Sequence, residues 1–262
     1  MRQVRRVTGA EQPIPAATLV IFRRAADGGP PELLMVERAQ SMVFAGGAAV
    51  FPGGRVDRAD YALGHRLAPE LDQDESAARV AAIRETLEEA GLVVGLATNV
   101  SAEEARAARA LLLSQGELAP VLDRFGWQLD LGALIPFARW LPLGMQHHRI
   151  FDTRFYLADL GTGAVEIAVD ETENTHLFWT SAAGALELAD RGEISIIFPT
   201  RRNLERLALF GDFAAACAQA ACTPIEAITP HFVDEGAERW LAIPDNAGYP
   251  VTRERIADLR RG

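Results

Sequence analysis

Two short apolar runs open the pattern, AATLVIFR at 16–23 and ELLMVER at 32–38, separated by the turn-forming AADGGPP. Runs of this length bounded by glycine and proline predict β-strands. GGAAVFPGG at 46–54 follows as a glycine- and proline-bearing loop, and a polar stretch without clear period continues to about residue 73. From Asp74 to Ala90 the period changes. Val80, Ile83, Leu87 and Ala90 fall within a narrow stripe at about 100° per residue, which predicts a helix with one core-facing ridge, and Gly91 is placed to cap it. Ser101 with Glu104 reads as a capping box that opens a second helix through Leu113. LDRFGWQL reads as helical, strands are expected at 133–141, 151–158 and 174–180, and SAAGALELADRG reads as a short helix with a glycine stop. PTRRNLERLALF and DFAAACAQA predict further helices, and 225–243 returns a strand. With no repeat, low-complexity tract or long linker, strands interrupted by helices predict an α/β (α+β) fold in one domain over 1–262.

Composition narrows the classes. The 262 residues are 49% hydrophobic and 24% charged, enough to bury a sizeable core. A net charge of −10 excludes a nucleic-acid backbone as the expected partner, although a divalent cation would still let a small phosphorylated ligand bind. No apolar run approaches the roughly 20 residues of a membrane span. The basic start MRQVRR precedes a run too short for a secretory leader and lacking a cleavage site, so a cytoplasmic setting is expected. Cys217 and Cys222 lie in an alanine-rich helical pattern and are expected to be buried thiols with no disulfide or metal role.

The chemistry concentrates in AAIRETLEEAGL, residues 81–92. Glu85, Glu88 and Glu89 stand at i, i+3 and i+4 opposite the apolar stripe, so three carboxylates converge on one patch. Arg84 reaches Glu88 at i+4 and would leave the other two free. Six hard oxygens suit Mg²⁺ or Mn²⁺. A solvated acidic helix face is the alternative for an isolated cluster, but this one follows FPGG. Together, FPGG and RETLEEAGL resemble the signature of the Nudix hydrolase superfamily, whose box runs G-x5-E-x7-R-E-U-x-E-E-x-G-U with U aliphatic. Arg84, Glu85, Glu88, Glu89, Gly91 and Leu92 fall in register, while Thr86 takes the first U. The leading glutamate would fall on Ser76 and its glycine on Glu70. Instead, Gly53 and Gly54 lie upstream and Glu75 is one position off. An insertion of roughly sixteen residues within about 55–74 accounts for this, since loops tolerate length changes. It leaves open whether Glu75 replaces the displaced glutamate, and whether the insertion is a lid, a specificity loop or inert. The resemblance implies a Nudix α/β/α sandwich around a mixed central sheet, with helical insertions and a C-terminal extension beyond about residue 195. It also implies metal-dependent hydrolysis of a small-molecule diphosphate.

LLMVERAQSMVFAGGAAVFPGG further resembles the segment L-L-T-x-R-[SA]-x3-R-x3-G-x3-F-P-G-G of the family's coenzyme A diphosphatases, a subgroup typified by peroxisomal members. Leu34, Arg38, Ala39, Gly47 and Phe51 to Gly54 match, whereas Val36 and Val43 replace the threonine and second arginine. This resemblance implies CoA or acyl-CoA, cleaved to 3′,5′-ADP and a 4′-phosphopantetheine compound. ADP-ribose, nucleotide sugars and dinucleotide cofactors remain alternatives, as does a catalytically inactive nucleotide-binding module, against which the intact glutamate trio speaks. Glu85, Glu88 and Glu89 are expected to hold Mg²⁺ or Mn²⁺ and, with Arg84, to form the catalytic set. The base is either a box glutamate or one from VDETENTHLFWTS, Glu173 ahead of Glu171. Arg38, Gly53, Gly54 and Arg154 are the candidate substrate contacts, because glycine lets phosphate approach backbone N–H groups and arginine pairs with it. For Arg154 an ion pair in the neighbourhood of Asp152, or plain solvent, is the competing reading. His147, His148 and Arg149 would meet phosphate or only solvent, Trp140 and Trp179 are read as core, and a homodimer stays open.

Overall fold

The computed structural model describes residues 12–39, 45–96, 100–145, 149–160 and 174–259. Its layering follows from alternation in β1 (Ile14–Arg23), where Ala17, Leu19 and Ile21 enter one apolar cluster and Val20 and Phe22 enter another. β2 (Glu32–Arg38) divides likewise, with Leu34 and Val36 on the first side and Leu33 and Met35 on the second. A strand covered on both faces reads as an unbroken apolar run, which is why TLVIF and LLMV lack polar interruptions.

The remaining strands are β3 (Ala49–Val50), β4 (Gly53–Arg55), β5 (Ile135–Trp140), β6 (Phe151–Asp159), β7 (Asn174–Ser181) and β8 (Ala227–Ile228). They form a mixed eight-stranded sheet in the order β3-β2-β1-β6-β5-β8, with β4 also on β1 and β7 also on β2. β1 runs parallel to β6 and antiparallel to β2 and β4. On one face lie α1 (Arg58–Leu67), α2 (Gln73–Ala90), α3 (Ala102–Gln115) and α4 (Ala119–Phe125), through Leu63, Leu87, Leu112 and Val121. The other face is covered by α5 (Ala182–Asp190), α6 (Phe198–Leu207) and α7 (Phe213–Ala221), through Ala185, Leu204 and Ala216. The α/β/α sandwich with a mixed sheet is therefore as expected. Residues beyond 195 supply two of the three helices of its second face and the edge strand β8.

Local signals explain most boundaries. Asp72 caps α2 by accepting the N–H groups of Asp74 and Glu75, and Gly91 ends it at φ 68°. Ser101 and Glu104 close the expected capping box of α3. Four expectations change. The polar stretch before residue 73 contains a helix, α1, started by a capping box between Asp57 and Asp60. LDRFGWQL is helical only to Phe125, where Gly126 turns left-handed. The single strand expected at 225–243 is three: β8, then β9 (His231–Glu235) and β10 (Glu238–Ala242) around Gly236, which pair with β11 (Arg253–Arg255) in a second sheet. The two cysteines are not buried. α7 points Ala216 and Ala220 inward, which leaves Cys217 partly exposed and places Cys222 in solvent at the helix end.

Trp140 is core, as read, and donates to the Tyr249 hydroxyl at 3.0 Å, which in turn donates to Asn203 at 2.6 Å. Trp179 is partly buried beneath Arg23, whose guanidinium lies 4.2 Å from its ring centroid. No helix among the described residues is long and apolar enough to cross a membrane.

α1 and α2 pack through backbone, because a Cβ on Gly64 would lie 2.7 Å from Ser76 C and 2.8 Å from Ala77 N. Gly64→Ala must push the helices apart and is expected to cost about 1–3 kcal/mol, the range for overpacking. Urea unfolding followed by circular dichroism checks this, and an unchanged midpoint would refute the close-packing account.

Candidate active site

α2 is more enclosed than a one-sided stripe implies. α1, α3 and the sheet surround it, so Ser76, Arg79, Arg84, Thr86 and Glu89 are buried alongside its apolar positions. Polar groups in such a place need partners. Arg84, only 3% exposed, donates through Nε to Asp60 Oδ1 at 3.0 Å and through Nη2 to Asp60 Oδ2 at 3.0 Å. Nη2 also donates to the Arg55 carbonyl at 2.8 Å. Nη1 divides between Glu85 Oε1 at 2.9 Å and Glu88 Oε2 at 3.0 Å. The expected i+4 pair with Glu88 is present, but Glu85 is held as well.

Glu89 turns elsewhere. Its Oε2 accepts the Gly53 N–H at 3.0 Å, which fastens the FPGG loop to the helix. Both glycines of that loop are needed at such range. A Cβ on Gly53 would overlap the Ala17 carbonyl and lie 2.7 Å from Thr18 Cα, and one on Gly54 would overlap the Glu85 carboxylate. From the far side, Arg109 of α3 donates to the Glu88 carbonyl at 2.8 Å, satisfying a C-terminal carbonyl of α2 just where the glutamates stand.

Asp60, Glu85 and Glu88 thus crowd around the buried Arg84, with Asp57 Oδ2 3.7 Å from its Nη2. Burial pushes Glu85 up to about 8 against the pull of Arg84, and the charges of Glu89 and Glu88 add to the rise. Burial raises Glu88 and Asp60 in the same direction, again opposed by Arg84. Burial works against the Arg84 charge, but hydrogen bonding to Asp60 and the glutamate charges outweigh it and hold the guanidinium above its ordinary value.

Among the described residues, no three carboxylate, imidazole or thiolate side chains are drawn into a ready-made metal cage. The donor chemistry nonetheless fits a magnesium-like ion. Such an ion takes oxygen, keeps several waters, and is bound through one or two carboxylates together with substrate phosphates. Glu85 and Glu88 share one guanidinium with Asp60, and their upward shifts show that their ionised forms lack sufficient positive partners, which a divalent cation would supply.

The other candidates fall around this centre. Arg38 ends β2, where the pairing with β7 shifts register, and its Nε is buried with no hydrogen-bond partner among the described residues. Arg154 lies in a cross-strand row with Ala17 and Gly54 on one side and Arg139 on the other. Its Nε is 3.7 Å from Glu75 Oε2, so its acidic neighbour is Glu75, whereas Asp152 pairs with Arg139. Glu75 also receives Arg79 Nε at 2.9 Å, and its pairs are thus Arg79 and Arg154, not Arg84. Arg149 is exposed. Glu173, Glu171, His147, His148 and Val43 lie outside the described residues. Sequence reasoning missed Asp60 and Arg109. Asp60 had one faint signal, the D-x-x-D spacing of its own capping box, whereas Arg109 had none.

No family model matches the chain. Among curated proteins, it is 27% identical to the acyl-coenzyme A diphosphatase NUDT19 of Gallus gallus, over 81% of this chain and 68% of that protein. It is 23% identical to the NUDT19 protein of Xenopus laevis, over 87% and 75%. Among solved structures, a Nudix hydrolase from Alicyclobacillus acidocaldarius superposes with a TM-score of 0.69 and 30% identity, covering 80% of this chain and 97% of that one. With that relative matched over nearly its whole length, and with the glutamate-bearing helix and FPGG loop closed on one another, the chain belongs to the Nudix hydrolases and is a pyrophosphohydrolase.

Proposed function

We propose that the protein is a divalent-metal-dependent diphosphatase of coenzyme A or its acyl thioesters, releasing 3′,5′-ADP and a 4′-phosphopantetheine compound. The observation that carries this reading is the closure of the FPGG loop on the glutamates of α2. It sets a glycine-lined strip of backbone against a concentration of carboxylates, the two surfaces a bridged diphosphate needs. The partial upstream motif and the acyl-coenzyme A diphosphatase name of both curated relatives favour CoA over other diphosphates.

Glu85, Glu88 and Glu89 would hold Mg²⁺ or Mn²⁺. Such an ion supplies charge neutralisation at the phosphoryl oxygens and a more acidic bound water. The chain's own groups do the rest. Arg84 orients Glu85 and Glu88 through Nη1, so that the carboxylates are set before substrate arrives. Gly53 and Gly54 let the loop close on Glu89 and Glu85 and would set its remaining main chain beside the substrate. Arg38, whose Nε has no hydrogen-bond partner among the described residues, pairs with a phosphate or the 3′-phosphate end of CoA. The proton of the attacking water passes to a carboxylate of the site.

Incubation of the purified chain with CoA and Mg²⁺ in ¹⁸O-water is expected to yield both products by mass spectrometry. Chelation with EDTA stops turnover, and Mg²⁺ or Mn²⁺ restores it. Glu88→Gln is expected to lower kcat by about 10²-fold or more, because it removes charge where the transition state develops it. Turnover of ADP-ribose or a nucleotide sugar with CoA untouched would reassign the substrate, and turnover unaffected by Glu88→Gln would remove the proposed centre.

Gly54→Ala tests the loop independently. The added methyl overlaps the Glu85 carboxylate and must displace it, so kcat is expected to fall on the order of 10²-fold. Steady-state kinetics on the variant read this directly, and wild-type turnover would show that Glu85 need not sit where the structure has it.

A further inference from the structure

The insertion between the glycine loop and α2 contributes a charged group to the centre. Asp60 is 1% exposed and lies on the first turn of α1, with its carboxylate flat against the Nε and Nη2 edge of Arg84. Its own orientation is fixed, since Oδ2 also accepts the Asp57 N–H at 2.8 Å. The opposite edge of the same guanidinium, Nη1, carries Glu85 and Glu88. α2 supplies no carboxylate of its own at that place. Glu75 faces Arg79 and Arg154, and Ser76 turns its hydroxyl to the Gln73 carbonyl at 3.2 Å. Backbone of α1 at Gly64 fills the space beside Ser76, so a longer side chain there would meet the inserted helix.

A guanidinium is a planar fork that prefers to engage a carboxylate with two parallel N–H groups. With Asp60 absent, Nε and one N–H of Nη2 would lose their acceptor, while the other Nη2 N–H keeps the Arg55 carbonyl and Asp57 stands 3.7 Å away, and Glu85 or Glu88 could be drawn into that fork. A glutamate so engaged spends the lone pairs facing the fork and is turned away from the place where a cation would sit. With Asp60 present, that edge is filled, and each glutamate receives only one N–H from Nη1. A buried ion pair adds little stability compared with an apolar contact of similar size, so stability alone does not explain a carboxylate here.

We propose that Asp60 is a positioning residue of the hydrolytic centre: by occupying the Nε and Nη2 edge of Arg84, it keeps Glu85 and Glu88 available to a divalent cation. The insertion is thus a working part of the site and not a lid over it. This rests on the metal-dependent hydrolase reading given above.

The test is a double-mutant cycle in the full chain, with Asp60→Asn, Arg84→Gln and the two combined. The readouts are kcat and KM for CoA, affinity of the metal-free protein for Mn²⁺ by electron paramagnetic resonance, and thermal unfolding. Asp60→Asn is expected to lower kcat about tenfold or more with KM changed less than about threefold, and to weaken Mn²⁺ binding. It adds no further loss in the Arg84→Gln background, since its effect passes through Arg84. Asp60→Glu, which keeps the charge, recovers part of both. Equal losses in both backgrounds would make Asp60 a packing residue and overturn the inference, as would wild-type kcat and Mn²⁺ affinity in Asp60→Asn. Should Asp60→Asn fail to fold, Asp60→Glu decides. Native-like unfolding with weakened Mn²⁺ binding supports the proposal, and unchanged binding overturns it. Wild-type protein that binds Mn²⁺ without cleaving CoA sinks only the substrate reading, and the cycle is then judged on Mn²⁺ affinity. Wild-type protein that binds no Mn²⁺ sinks both.

Discussion

One guanidinium holds the centre together. All five N–H groups of Arg84 have acceptors, and those acceptors come from three separate pieces of chain: the β4 end at Arg55, α1 at Asp60, and α2 itself at Glu85 and Glu88. Arginine is suited to this because its charge is permanent and its donors are fixed in one plane, whereas a lysine has three donors at a single point. Asp60, Glu85 and Glu88 all lean on this one guanidinium, and their positions relative to each other are set by the hydrogen bonds it donates.

Distance constraints close the loop onto that helix. The Gly53 N–H reaches Glu89, and Gly54 leaves just enough room for the Glu85 carboxylate. Side chains larger than hydrogen at either position collide with main chain or with the carboxylate. The pairing of β4 with β1 through Ala16, Ala17 and Thr18 anchors the same loop to the centre of the sheet. Helix, loop and sheet therefore share a few contacts at one point, while apolar packing on both faces keeps the sheet from shifting.

What could be read in advance was local. The turn residues, the cap at Gly91, the box at Ser101 and Glu104, and the unbroken apolar runs of β1 and β2 each act over a few residues, and each is where the pattern put it. The trio of glutamates stood out because charge density on one helix is visible in one dimension. Contacts across the chain were invisible. Asp60 meets Arg84 from another helix, and Glu89 is buried because a loop folds over it, although its place on the helical wheel suggested solvent. α1 itself gave little apolar signal, because of its ten residues the buried ones are Asp60, Leu63 and Gly64, a carboxylate, one leucine and a glycine. The second sheet was hidden for a related reason. Strands as short as β9 and β10, mostly exposed, carry little alternation.

Phe22 of the first strand packs edge-to-face on Phe213 of the last helix, with ring centroids 5.4 Å apart. Between them lie roughly 190 residues, so the contact belongs to the slow, high-separation kind. As the chain leaves the ribosome, the α2 face of the sheet finds partners among its near neighbours. The opposite face of β1 waits for helices that follow all but the edge strand of its sheet, α5, α6 and α7. The order of synthesis thus leaves that side of an apolar sheet open to other chains until those helices form.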